Sequence, residues 1–341
     1  MEFDAAPERV TLAEVADEAG VSLSTISKVL NGRADVSPTT RARVEQLLAD
    51  RGYRRRNGRA EHRDLIELVF HELDPIWSME LIDGVGKVAK QHGLSVVLTV
   101  SGSRHSPAPD WIEGVMRRRP AAVVLVFSDL APEYREQLRS RAIPFVIVDP
   151  AGDPSADAPS VGSANWSGGL AATRHLIELG HRRIAAITGP EDMMCSLARV
   201  DGYRTAMNSA GLAIDPAWIR FGDFHVSGGR DRARELLARP DRPTAIFAGS
   251  DMQALGVMEA ARELGIRVPD ELSIVGYDDI PLARWLTPRL TTVHQPLRRM
   301  GEEAARLAIG LSETDATPGG PTPRMDLATS LVVRESTAAP A

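Results

Sequence analysis

Residues 11–32 read TLAEVADEAGVSLSTISKVLNG, and they decide the fold of the N-terminal part of the chain. Thr11 is placed to cap a helix in which Leu12, Val15, Ala16 and Ala19 recur at helical spacing, and Glu14, three residues on, completes a capping box. Gly20 stops that helix, and Val21 follows as a buried turn residue. Ser22 or Ser24 then caps a second helix carrying Ile26, Val29 and Leu30 on one face, which Asn31-Gly32 ends. A helix, a turn with glycine and a second helix form a helix-turn-helix pattern. Downstream, Ser37-Pro38 supplies a cap and a first-turn proline to a third helix with Val44, Leu47 and Leu48 on its apolar face and Gly52 at its end. The second helix leaves Leu23, Ser24, Thr25 and Lys28 outward, where hydroxyls can bond base edges or phosphate and the lysine can reach guanine or phosphate. A structural helix pair can carry the same polar face, so on this pattern alone both readings stand.

The charge pattern sharpens the question. Residues 1–63 hold 11 Lys/Arg against 10 Asp/Glu, whereas the remainder holds 29 against 36. Arg51, Arg54, Arg55, Arg56, Arg59 and Arg63 face only Glu61 in that stretch, a run suited to a polyanion or to a solvated linker.

From Leu65 the pattern changes to apolar, β-rich runs alternating with helical segments. LIELVF (65–70), LSVVLTV (94–100), AAVVLVF (121–127) and PFVIVD (144–149) predict one set of strands; RIAAITG (183–189), TAIFAG (244–249) and LSIVGYDD (272–279) predict a second. Strands this continuously apolar belong to sheets covered on both faces. The fold expectation is therefore α/β: two doubly wound lobes preceded by a small all-α helix-turn-helix domain. The boundaries expected are 8–53 for the helical domain, 54–63 for a basic hinge, 64–162 with 292–323 for the first lobe, and 163–291 with 324–337 for the second. LTTVHQP (290–296), a helix near 297–310 and a last strand near 326–334 come after the second lobe.

Other classes are excluded or disfavoured. The chain has 341 residues, too many for one average core, with an ordinary 43% apolar and 25% charged composition. It has no apolar run long enough to span a bilayer and no secretory leader, so a cytoplasmic location is expected. Cys195 is its only cysteine, which rules out an intrachain disulfide and a thiolate metal site. Gly84-Val85-Gly86-Lys87-Val88-Ala89 matches a dinucleotide fingerprint, but its glycines fall within a helix already under way, where close helix packing explains them. No catalytic motif, metal-ligand spacing or acid–base pair is present, so neither an enzyme nor a cofactor is expected.

Residues 11–53, with TLAEVADEAGVS, TISKVLNG, VSPTTRARV and RGY, resemble the DNA-binding domain of the LacI/GalR family of bacterial transcription regulators. The resemblance continues through HLIELGHRRIAAITGP (175–190), RVDGYRTAM (199–207), the segment 245–279 and LTTVHQP (290–296). It implies two lobes resembling periplasmic binding proteins, a homodimer, a pseudopalindromic double-stranded DNA operator, and repression of carbohydrate-utilisation genes relieved or strengthened by a small sugar. It also implies that Thr11, Ser22, Leu23, Ser24, Thr25, Ser27, Lys28 and Asn31 meet DNA, with Arg54, Arg55, Arg56 and Arg59 as phosphate contacts. Asp278 matches the family's effector-binding acid and Arg199 its effector-binding arginine, a carboxylate and a guanidinium that suit a polyol. Asn165 is a further polar contact, Phe224 a stacking aromatic, and Ser250 stands where the family often has Asn. Trp77 and Trp166 fall near the cleft on this topology, as carbohydrate platforms or core residues. FHELD…W and NWSGG resemble actinobacterial members tied to plant-polysaccharide use, which points to a xylo-oligosaccharide. One departure is plain: Tyr53 is followed by RRRNGRAEHRD, without the family's proline and hinge leucine. A solute receptor without regulation and a sugar-acting enzyme are the alternatives.

Overall fold

The computed structural model describes residues 12–30, 36–51, 64–74, 76–102, 109–126, 130–150, 158–313 and 322–340. Three helices open it: α1 (Leu12–Ala19), α2 (Leu23–Leu30) and α3 (Pro38–Asp50). Gly20, at φ +63°, takes the left-handed turn that ends α1 and returns the Val21 amide to the Ala16 carbonyl at 3.0 Å. Ser22 rather than Ser24 caps α2, its Oγ accepting from the Thr25 amide at 3.2 Å, and Ser37 caps α3 through the Thr40 amide. Val15, Ala16, Ala19, Ile26, Val29, Val44 and Leu48 close a small core between the three helices; Val21, expected to be buried, is only half-buried. The caps and stops expected at Thr11, Asn31-Gly32 and Gly52, and the basic run 54–63, lie outside the described residues.

The first lobe is built from β1 (Leu65–Phe70), α4 (Trp77–Gln91), β2 (Ser95–Val100), α5 (Pro109–Arg118), β3 (Ala122–Val126), α6 (Pro132–Ser140), β4 (Phe145–Val148) and β5 (Ser160–Ser163). The second follows with α7 (Asn165–Glu178), β6 (Ile184–Thr188), α8 (Met194–Ser209), β7 (Ile219–Phe221), α9 (Val226–Leu237), β8 (Ala245–Ala248), α10 (Asp251–Glu263), β9 (Ser273–Asp278) and β10 (Thr291–His294). The chain ends with α11 (Leu297–Glu313), β11 (Arg324–Leu327) and β12 (Ser330–Val332). The sheets run β11-β5-β4-β3-β1-β2 and β12-β10-β9-β8-β6-β7, parallel throughout except for the antiparallel β10–β12 pair.

Both sheets are sandwiched, as their apolar strands require. Leu81, Val85, Met300 and Ala304 cover one face of the first sheet and Trp111, Ile112 and Leu138 the other. Leu236, Val257 and Ala260 do this on one face of the second sheet, Leu176, Tyr203 and Met207 on the other. The exceptions lie at the edges of the first sheet, where Leu98 and Val100 of β2 and Met325 of β11 are exposed.

The C-terminal boundaries need correction. The segment 292–323 does not belong wholly to the first lobe, because β10 pairs with β9 of the second. Nor does 324–337 belong wholly to the second, because β11 pairs with β5 of the first and only β12 returns to β10. The single last strand expected near 326–334 is two strands in two sheets. Short β5 (SVGS) and β7 (IRF) were not expected; neither is an apolar run of strand length. Among the described residues the chain thus crosses between lobes three times, at 163–165, 294–297 and 327–330.

Of the two glycines in the false fingerprint, only Gly84 serves packing. A methyl there would stand 2.0 Å from the Arg298 carbonyl oxygen on α11, and α11 answers with Gly301 against the Leu81 carbonyl. Gly86 faces open space. Gly84→Ala should therefore destabilise by about 1–3 kcal/mol through overpacking. Gly86→Ala should leave stability unchanged or raise it by up to about 1 kcal/mol. Urea unfolding of both variants checks the contrast, which fails if the two move together.

Candidate functional site

Parallel strands of both sheets end at one crevice, the usual ligand position of such folds. It holds a cavity of about 480 Å³ lined from the first lobe by His71, Glu72, Asp74, Trp77, Ser78 and Gly102. The second lobe faces it with Pro190, Met193, Cys195, Arg199, Asp223, Phe224, His225, Ser250, Met252 and Asp278. Among the residues expected from the sequence, Trp77, Arg199, Phe224, Ser250 and Asp278 meet here.

Arg199 is buried on α8, with its side chain tied on several sides. Its Nε donates to Asn165 Oδ1 at 2.8 Å, Nη1 to the Gly249 carbonyl at 2.5 Å and Nη2 to Gln295 Oε1 at 3.4 Å. The guanidinium lies 3.7 Å over the Tyr277 ring and 5.5 Å from that of Phe224. Burial works against its charge, but Tyr277, Cys195, Asp278 and Asp149 more than offset that and hold its pKa above the ordinary value. Three of its five N–H groups are engaged in these bonds, which leaves donors for a ligand.

Asp278 stands 4.0 Å from Arg199. It ends β9 at φ +109°, and Asp279 follows at φ +56°, two left-handed residues in succession. The buried Asp251 secures this turn, accepting from the Ile280 amide at 2.9 Å and from the Thr292 hydroxyl. Burial above all, with the charges of Asp149 and Asp74, pushes the Asp278 carboxyl up to about 7 against the pull of Arg199. Phe224, at φ +67°, lays its ring where a Gly189 side chain would stand. Ser250 is committed to structure: its Oγ caps α10 through the Gln253 amide and donates to the Phe224 carbonyl.

Asn165 and Trp166 are not in this cavity, contrary to expectation. They line a second one of about 500 Å³ beside the crossings, with Asp149, Ser163, Met194, Arg324 and Asp326. Asn165 is turned inward because Arg199, Asp149 and the Ser163 carbonyl take its amide from both ends. Cys195 borders both cavities, and burial pushes its thiol up to about 12.

The sequence reading missed the first lobe's polar contribution. Asp74 could have been found from Asp-Pro before a helical run, since its Oδ1 accepts from the Ile76 and Trp77 amides at 2.9 and 2.7 Å and so caps α4. Glu72 could not; its role is spatial, with Oε1 3.3 Å from both His71 Nε2 and His225 Nε2, an exposed contact between lobes. Among the described residues no cluster is arranged to hold a metal ion, and no helix is long and apolar enough to cross a membrane.

On α2, Leu23, Ser24, Ser27 and Lys28 are exposed on one face beside the capping Ser22. Thr25 is half-buried, its hydroxyl 2.9 Å from Ser22 Oγ. Thr11, Asn31, Arg54, Arg55, Arg56 and Arg59 lie outside the described residues.

A carboxyl that holds its proton to about pH 7 when folded, and ionises near 4 when unfolded, lowers stability as pH rises through that window. Asp149 and Asp251, also raised by burial, add the same sign, whereas His175 and His181, lowered by burial, act oppositely. The difference between the protein and its Asp278→Asn variant isolates one group. Urea denaturation between pH 5 and 8 should show stability falling less steeply with pH in the variant; parallel curves would remove Asp278 as the source.

Comparison with known proteins follows the same division of the chain. Residues 11–56 match the family described as bacterial regulatory proteins, lacI family, and residues 173–337 match a periplasmic binding protein-like domain. The HTH-type transcriptional regulator CelR of Thermobifida fusca is 35% identical over 341 residues, covering 96% of this chain and 98% of its own. The HTH-type transcriptional repressor PurR of Vibrio atlanticus is 34% identical over 304 residues, covering 88% and 91%. A solved transcriptional regulator CelR–cellobiose complex superposes with a TM-score of 0.71 at 34% identity, covering 96% of this chain and all of that one.

Proposed function

The chain belongs to the lacI family of bacterial regulatory proteins, and from that premise we propose that it is a homodimeric, cytoplasmic repressor of carbohydrate-utilisation genes, released from or fixed to its operator by a short neutral oligosaccharide. The observation that carries the sugar reading is the cavity between the lobes. At about 480 Å³ it falls within the roughly 300–1,000 Å³ of pockets that enclose a drug-sized ligand. Trp77 and Phe224 supply ring faces in it, Asp278 an acceptor and Arg199 the remaining donors, the pairing of apolar faces with fixed polar groups that a pyranose requires. Cellobiose in the solved relative and the FHELD…W and NWSGG segments support a β-linked chain of two or three rings, of the cellobiose or xylo-oligosaccharide kind.

On the DNA side, α2 enters the major groove of each half of a pseudopalindromic operator. Ser22, Leu23, Ser24, Thr25, Ser27 and Lys28 provide its contacting face, joined by Thr11 and Asn31, while Arg54, Arg55, Arg56 and Arg59 meet phosphates. Trp285, three-quarters exposed, and the edge strand β2 supply apolar surface for pairing two copies. Neither a turnover step nor a cofactor is part of this reading.

Two measurements test it. Cellobiose, xylobiose and xylotriose at about 100 times a dissociation constant should stabilise the protein by roughly 2.7 kcal/mol and raise its melting temperature. Absence of any shift across the panel, with ribose included, removes the oligosaccharide. Fluorescence anisotropy on promoter DNA should show Lys28→Ala and Ser24→Ala weakening specific binding by about 1–3 kcal/mol each, with sugar binding intact. Unchanged affinity in both takes α2 out of the groove.

A further inference from the structure

What a helix can read in the major groove depends on the side chains it brings there, and α2 is the eight residues LSTISKVL. Arginine, which forks onto guanine, asparagine and glutamine, which fork onto adenine, and the carboxylates that take the cytosine amino group are all absent from it. Lys28 stands in its last turn, whereas the residues at the start of a recognition helix are those that reach base edges. At that start the hydroxyls are turned on one another. Ser22 Oγ lies 3.2 Å from Ser24 Oγ and 2.9 Å from Thr25 Oγ1, and it accepts the Thr25 amide at 3.2 Å. A hydroxyl also donates as readily as it accepts, so it separates one base edge from another poorly.

Leu23 differs from all of these. Ile26 and Val29 turn the apolar side of α2 into the three-helix core, and Leu23 takes no part in that core. It is the first residue of the helix, 55% exposed, one turn before the exposed Ser27 on the same face. A leucine held out in water adds nothing to the stability of the headpiece. In the major groove it meets an apolar group that only one base carries, the C5-methyl of thymine.

We propose that Leu23 is a specificity-determining residue of the headpiece, packing its side chain on the C5-methyl of one thymine in each half of the operator. Sequence is then read at that base pair by an apolar contact, and Lys28 and the hydroxyls fix the helix around it. The inference rests on the reading that α2 enters the major groove, and it assigns the feature of the base pair that is read there.

Fluorescence anisotropy of the full chain on the duplex it selects from a randomised pool tests the proposal. Each thymidine of the selected half-site is replaced in turn by deoxyuridine, which lacks only the methyl group. At one position the unaltered protein loses about fourfold in affinity, the worth of one buried methyl group, and about fifteenfold when both halves are replaced. Leu23→Ala binds the thymidine duplex more weakly, no longer distinguishes it from the deoxyuridine duplex at that position, and melts where the unaltered protein does. Lys28→Ala is weakened on both duplexes and keeps the preference. An undiminished preference in Leu23→Ala, one lost equally in Lys28→Ala, or no methyl preference at any position in the unaltered protein overturns the inference and leaves α2 in the groove. If the unaltered protein selects no sequence at all, the groove reading falls and the inference falls with it.

Discussion

A guanidinium with 4% of its side chain exposed must be solvated by protein, and the Arg199 network is where that requirement shapes the molecule. Its hydrogen-bonding partners Asn165 and Gln295 sit at two of the three places where the chain crosses between lobes. Each reaches back to the first lobe: Asn165 donates to Asp149 Oδ1 and Gln295 donates to Asp149 Oδ2 and, at 2.9 Å, to Ser163 Oγ. The solvation of one buried cation and the relative placement of two lobes are thus a single constraint. A ligand that touches Arg199 in the cavity touches the same network that spans the crossings.

The opposite edge of the cleft is held differently. There the lobes meet through the half-exposed Glu72 and His225, a pair of the kind that contributes about 0–1 kcal/mol in water. Apolar packing joins them as well, since Ile280, Met252 and Leu282 of the second lobe lie against the first lobe's core. The helix-turn-helix domain precedes the first lobe in the chain, so in the dimeric repressor proposed above a ligand in the cleft would act on the operator through that lobe.

How far the sequence carried depends on the period of each element. The helices and the long apolar strands were legible because burial on one stripe or both faces writes itself into the chain as helical spacing or a β-rich run; Leu65–Phe70, Ala122–Val126 and Ile184–Thr188 are strands within those runs. β5 was not legible, since SVGS carries two serines and a glycine and is buried only because β11 and β4 flank it. The division of 324–332 between two sheets was hidden for a similar reason: both strands are short, and their partners lie far away in sequence. In the site, Asp278 and Arg199 came from family resemblance, and the structure adds why they need one another. Asn165 came from the same resemblance; it lines the neighbouring cavity, and its amide is engaged by Arg199 and Asp149. Asp74 left only a capping signal, and nothing in a linear reading shows that it lines the same cavity as Asp278.

The account's central claim is that one ligand is held by both lobes at once. Hydrogen–deuterium exchange with and without saturating cellobiose addresses it directly. The account predicts slower exchange in two separated sets of peptides, residues 71–78 of the first lobe and those around 223–226 and 250–252 of the second, with the amides near 163–165 and 294–297 protected in both states. Protection confined to one lobe, or spread over neither, would contradict it.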